Sequence, residues 1–271
     1  MDFIWKAAVQ GIVQGIAEFL PVSSTAHLLL FGELLDMGHS EFVKIFDIVL
    51  HLASILAVVV YFRKILIPVE MLRDKTVRQQ TFSLWLKMIV GVIPILIIGA
   101  VASKLGWVDV LHTHPQIMAV ALFVGGVLLL RIERWCHHEK PVEELSSLSY
   151  KTAFLIGLIQ CLAIIPGTSR SASTIIGALA LGLARPLAAK FSFLLAIPTM
   201  TAASAYSLLK HHGSMTSEQW CTLGVGSAVT FLVSLFAVSW LMKFIQTHTF
   251  ELFGWYRMAL ALTVAAFVYL N

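Results

Sequence analysis

The stretch that constrains this chain most is residues 157–183, GLIQCLAIIPGTSRSASTIIGALALGL. It is apolar at both ends and interrupted by Pro166-Gly167 and by Thr168-Ser169-Arg170-Ser171. A helix reaching Pro166 stops there, because proline lacks an amide hydrogen and clashes with the turn before it. A second helix is predicted from about Ala172. Each half is too short for a bilayer core, which takes about 20 helical residues. The two halves therefore predict a broken, re-entrant element with Arg170 at membrane depth. A guanidinium there costs about 2.5–3.5 kcal/mol on insertion scales and marks a functional site by default. Its five N–H donors suit phosphate or carboxylate oxygens. Thr168, Ser169, Ser171 and Ser173 add hydroxyls, and the following helix aims its N–H-rich, positive end at the same spot. The stretch predicts an anion site inside a membrane.

The rest of the chain agrees with a membrane setting. Only 13% of its residues are charged, against about 25% in a soluble domain. Six apolar stretches are long enough, or nearly so, to span: about 46–62, 85–103, 116–132, 191–209, 219–241 and 255–270. Pro94 and Pro198 interrupt two of them, where neighbouring helices are expected to satisfy a kink. Cys136, Cys161 and Cys221 are far apart, so neither a disulfide framework nor a zinc site is suggested. A net charge of +4 is no nucleic-acid footprint. Lys6 alone, with Glu18 interrupting the apolar stretch, does not read as a cleaved leader.

The basic residues instead report orientation. Thirteen Lys and Arg fall in segments on one side of the spans and four, Lys6, Lys44, Lys104 and Lys210, on the other. The positive-inside rule puts the richer side in the cytoplasm. Arg170 and Arg257 fall within or at the edge of the membrane. The acidic 139–144 linker reads as a hinge between two halves, about 1–135 and 150–271. Those halves resemble each other. GIVQGIA from Gly11 matches GLIQCLA from Gly157, and each is followed by a Pro-containing turn rich in Ser and Thr. Three spans follow each broken element. An odd number forces opposite orientations, so an inverted repeat is predicted, with a site near the midplane between paired discontinuous helices.

In the first broken element Gln14 and Glu18 stand four apart on one helix face. Gly11 and Gly15 form a separate small stripe for close helix approach. Pro21 closes the helix, Ser23, Ser24 and Thr25 form the turn, and His27 lies in the first turn of the next helix. A carboxylate beside an anion site needs an intervening cation. The candidates are a hard metal ion on Glu18, Gln14 and phosphate oxygens, or a nearby protonated His. For Arg170 the alternative to an anion site is a structural pair with Glu18, which would still hold the two halves together.

EFLPVSSTAH together with PGTSRSASTIIGALALGL resembles the undecaprenyl pyrophosphate phosphatase family, also called the bacitracin-resistance family. The family pattern (E/Q)xxxE, PVSST and His, then PGxSRSxxT, falls on Gln14 to Glu18, Pro21 to Thr25, His27, Pro166 to Ser171 and Thr174. The similarity covers essentially the whole chain. It implies an all-α polytopic protein of the bacterial inner membrane that hydrolyses undecaprenyl diphosphate to the monophosphate and inorganic phosphate. That activity recycles the lipid carrier of cell-wall synthesis and confers bacitracin resistance. The implied architecture is six transmembrane helices plus two broken re-entrant pairs. The implied cofactor is a divalent cation, Mg2+ or Ca2+, on Glu18 and Gln14; many members have Glu where this chain has Gln14, which leaves one carboxylate instead of two.

The expected catalytic set is His27, Ser24, Glu18 and Arg170. The expected phosphate contacts are Ser23, Thr25, Gly167, Thr168, Ser169, Arg170, Ser171 and Thr174. His27, one helical turn after Ser24, is expected to hydrogen-bond it and to serve as base or nucleophile; Ser24 and a water remain alternatives. His51 either lines the pocket or bonds another helix. Expected partners are the polyprenyl diphosphate and membrane lipids, with a homodimer left open and no nucleic acid. The pocket is expected to open on the periplasmic face. The competing reading is a transporter or flippase of a polyprenyl phosphate lipid, since broken inverted repeats are also a transporter architecture.

Overall fold

The computed structural model describes residues 2–38, 40–112, 114–136, 138–210 and 215–270. His137, His211 and His212, expected in solvated loops, lie outside them. The helices are α1 (Asp2–Ala17), α2 (Ser24–Leu34), α3 (Glu41–Tyr61), α4 (Arg63–Leu66), α5 (Lys75–Lys104) and α6 (Trp107–His112). They continue with α7 (Pro115–Trp135), α8 (Tyr150–Gln160), α9 (Arg170–Ala180), α10 (Arg185–Lys210), α11 (Ser217–Thr247) and α12 (Glu251–Leu270). Among the described residues six helices, α3, α5, α7, α10, α11 and α12, are long and apolar enough to cross a membrane. They coincide with the six apolar stretches. Pro94 and Pro198 sit inside α5 and α10 without ending them.

Both expected breaks are present, with shifted boundaries. The second begins earlier than Pro166: α8 ends at Gln160 and tightens into a 3-10 turn over Cys161–Ile164. Ile165 is then extended (ψ 120°), as the residue before a proline should be. The next helix starts at Arg170 rather than Ala172, because the Ser169 hydroxyl accepts the Ala172 N–H at 3.3 Å and acts as its cap. In the first break α1 ends at Ala17, four residues short of Pro21. The Glu18 N–H still reaches the Gln14 carbonyl at 3.0 Å, so Glu18 closes the final turn.

Small residues set the closest helix contacts. A Cβ on Gly11 would lie 2.8 Å from the Gly226 carbonyl of α11, and one on Gly157 would overlap the Gly91 carbonyl of α5. Thus α1 lies on α11 and α8 lies on α5. α9 is enclosed among α7, α8 and α10, with Ile175 and Ala178 fully buried. Phe19, beside Glu18, packs edge-on against Phe193 of α10 at 5.4 Å. The 139–144 linker, expected as a hinge, is docked. Val142 exchanges backbone hydrogen bonds with Gly182 and Ala184 at 2.8 Å each, and the buried Lys87 ammonium donates to the Leu145 and Ser146 carbonyls.

Candidate active site

The two turns meet at Glu18, which is 5% exposed. Its Oε1 accepts from Arg170 Nη2 at 3.0 Å, a bond joining residues 152 apart. Its Oε2 accepts from Gln14 Nε2 and from the Ser24 hydroxyl, both at 3.0 Å. The spacing of Gln14 and Glu18 therefore works as the helix period dictates. Arg170 Nη1 donates to the Ser192 carbonyl of α10 at 3.1 Å, while Nε is buried without a partner. The Arg170–Glu18 pair, the sequence alternative to an anion-binding role for Arg170, is present.

The turns are built alike. Ser23 and Ser169, each directly before its helix, hold φ of 73° and 70°. Such left-handed backbone costs a non-glycine residue about 1–3 kcal/mol and concentrates at functional sites. Ser169 caps its helix through the side chain and Ser23 does not. The first residues of the two helices, Ser24 and Arg170, both reach Glu18.

A cavity of about 200 Å³ is enclosed by Glu18, Ser23, Ser24, Thr25, Gly167, Ser169, Arg170 and Met200, with His51 on one side. That is below the range for a whole drug-sized ligand, about 300–1,000 Å³, and suits a headgroup. Two larger apolar grooves are also present. One of about 520 Å³ includes Val120, Val124, Ile159 and Thr168; one of about 530 Å³ includes Ile12, Ile16, Leu252 and Tyr256. A further cleft containing Gln10, Glu33 and Asp47 shares Thr25 and His51 with the cavity.

Several expected site residues stand elsewhere. Ser171 is fully buried and donates to the Leu20 carbonyl at 3.0 Å, tying the second turn to the first. Thr174 is fully buried and pairs with the Ser192 hydroxyl at 2.6 Å. Thr168 faces the apolar groove. The expected Ser24–His27 hydrogen bond is replaced. The Ser24 hydroxyl goes to Glu18, and His27 faces the groove beside α12. His27 Nδ1 lies 2.7 Å from the Ser23 carbonyl, which can only accept, so Nδ1 carries the proton. Nε2 lies 2.6 Å from the Tyr256 hydroxyl, with the rings parallel. His27 thus braces the strained Ser23 peptide. The imidazole at the cavity belongs to His51. Its Nδ1 is fixed by the Asp47 carbonyl at 2.7 Å, leaving Nε2 3.5 Å from Glu18 Oε2.

The sequence placed Arg257 within or at the edge of the membrane but gave it no role in the site. This α12 residue is fully buried and donates to five carbonyls: Leu122, Pro21, Ala121, Gly167 and Thr168, at 3.0–3.4 Å. Gly125 of α7 makes room, since a Cβ there would strike the guanidinium. The available signal was a second arginine inside an apolar stretch.

The donor set bears on a divalent cation. Among the described residues no three His, Cys, Asp or Glu side chains stand together as a metal cage. Gln14 Oε1, however, is buried without a partner beside the Glu18 carboxylate. Two hard oxygens fit a cation of the Mg2+ kind, which takes few protein ligands and fills its shell with phosphate oxygens and water.

The family described as bacitracin resistance protein BacA matches residues 7–263. The chain is similar to undecaprenyl-diphosphatase 1 of Clostridioides difficile (strain 630), 44% identical over 98% of this chain and 97% of that one. It is similar to the undecaprenyl-diphosphatase of Aquifex aeolicus (strain VF5), 42% identical over 97% and 98%. The undecaprenyl-diphosphatase of Enterococcus faecalis is 44% identical over 97% of both chains.

Proposed function

Because this chain belongs to the bacitracin resistance protein BacA family, we propose that its Glu18–Arg170 junction is where undecaprenyl diphosphate is hydrolysed to undecaprenyl phosphate and inorganic phosphate. The protein is a multi-pass enzyme of the bacterial inner membrane, acting in lipid-carrier recycling. The observation that carries the site is the convergence on one buried carboxylate: Arg170 from one motif and Ser24 from the other bond the two oxygens of Glu18.

The chemistry follows from those contacts. The terminal phosphoryl group enters the cavity and meets Arg170 and the N–H groups that open α2 and α9. Fixed donors of this kind supply most of what phosphoryl transfer needs. Ser24 Oγ attacks the terminal phosphorus, its proton passing to Glu18 Oε2, and the bond to the bridging oxygen breaks. Undecaprenyl phosphate leaves with that oxygen. Water then cleaves the Ser24–phosphorus bond, giving inorganic phosphate and returning the proton to Ser24. Glu18 thus takes the role of base expected of His27, and His27 braces the turn from behind. A divalent cation, held by Glu18 and Gln14 together with phosphate oxygens, would add charge neutralisation.

The inverted-repeat reading is supported by exchanged partners. α1 of the first half lies on α11 of the second, and α8, its counterpart, lies on α5 of the first. The like φ of Ser23 and Ser169 supports it too.

The deciding test is phosphate release from undecaprenyl diphosphate by protein purified in detergent. Rapid quenching with labelled substrate should trap acid-stable label on Ser24, absent from Ser24→Ala. Glu18→Gln should lower kcat by about 10²–10⁴-fold, the range for a lost general base. Acid-labile label lost in His27→Ala would instead establish phosphohistidine and reverse the roles of Ser24 and His27.

A further inference from the structure

We infer that Arg257 is the positioning residue of the phosphate site, setting both turns and supplying a positive charge behind them; this rests on the proposed hydrolysis. Three of its carbonyl partners lie in the turns: Pro21 in the first, Gly167 and Thr168 in the second. The other two belong to α7. One planar fork therefore fixes the turns against each other and against a spanning helix.

The consequence for the site is geometric. In a trans peptide the C=O and N–H point in opposite directions. Holding the Thr168 carbonyl toward Arg257 turns the Ser169 N–H the other way, toward the cavity that Ser169 lines. The same bond helps hold Ser169 at its positive φ, directly before the N–H groups that open α9. Tyr256, the preceding residue, braces the first turn through His27 and the Ser23 carbonyl. Two consecutive residues of α12 thus back both turns.

The electrostatic consequence differs from that of Arg170. Arg170 faces a carboxylate at 3.0 Å. The five acceptors of Arg257 are all neutral carbonyls, so its charge stays available to the anion in front of the turns. Arginine is required twice over: lysine keeps the charge but loses the fork, and glutamine loses the charge.

The test compares Arg257→Lys, Arg257→Gln and Gly125→Ala with the unaltered protein in detergent. Folded fraction, kcat, KM for undecaprenyl diphosphate and calorimetric binding of orthovanadate are measured for each. Arg257→Lys should keep KM within about threefold while kcat falls about 10²-fold, the cost of a misplacement of about 1 Å. Vanadate should weaken in parallel, and Arg257→Gln should weaken it further. Gly125→Ala removes no donor and pushes on the guanidinium, so it should lose kcat in the same sense, and it decides the matter if both Arg257 variants fail to fold. Wild-type kcat and vanadate affinity per folded molecule in Arg257→Lys, or in Gly125→Ala, would overturn the inference. Vanadate binding needs no turnover. Absence of phosphate release by the unaltered protein would therefore sink the hydrolysis reading and leave the positioning role separately measured.

Discussion

Arg170 is gripped from two sides, by Glu18 and by the Ser192 carbonyl, and its unpartnered Nε leaves one donor in reserve. A lysine offers a point charge and cannot make those bonds in one plane. Arg170→Lys should fold and insert normally and lose about 10²-fold in kcat/KM; steady-state kinetics with size-exclusion controls would measure it. At Gln14 the orphaned Oε1 marks the place for a second carboxylate. Gln14→Glu should lower the cation concentration for half-maximal rate, and Glu18→Gln should abolish any cation dependence that survives its loss of rate. Unchanged cation titrations in both would exclude this helix face. Glu18 and Arg170 were each within reach of the sequence because helix period and membrane cost constrain them locally; their pairing, across 152 residues, stood there only as an alternative. The orientation of His27 was out of reach, since its partner Tyr256 is 229 residues away. For His51 the sequence left pocket lining and a bond to another helix both open, and the packing of α3 against α1 decides for the pocket.

Among the elements, α8 shows how far small residues decide the packing. A methyl on Gly157 would overlap the Gly91 backbone, leaving no side chain to yield. Gly157→Ala must lift α8 from α5 at about 1–3 kcal/mol, the usual cost of overpacking. It should lower the melting temperature in detergent, whereas Gly99→Ala, with open space around it, should not. The six spans and two breaks were legible because apolar length and proline act at short range. The start of α9 was misplaced by two residues because the cap is a hydroxyl bond of Ser169, invisible to hydropathy. The linker's acidic, proline-containing composition marks it as the join between the halves but carries no sign of its docking by Lys87 and the Val142 backbone.

At the scale of the molecule, the distribution of lysine and arginine predicts the loop at Ser40 outside and that at Lys75 inside. In a cysteine-free background, Ser40→Cys should react with an impermeant thiol reagent added to intact cells and Lys75→Cys should not; the reverse result would invert the protein. The halves are also joined where a transporter would need them to part. Glu18–Arg170, Ser171 to Leu20, and Arg257 to both turns cross the same seam. Alternating access would have to break these bonds in each cycle, whereas catalysis gains from leaving them closed.

The contact between Glu18 and Arg170 also has a history within each molecule's synthesis. The two residues are 152 positions apart. At about 5–20 residues per second the carboxylate is made about 8–30 s before its guanidinium. Over that interval it must stay near water or keep its proton, because an unpaired charge does not settle in hydrocarbon. Arg257 comes later still, so the two turns are complete before the residue that clamps them exists. The site is therefore closed from the last helix inward, and its first acid waits the longest.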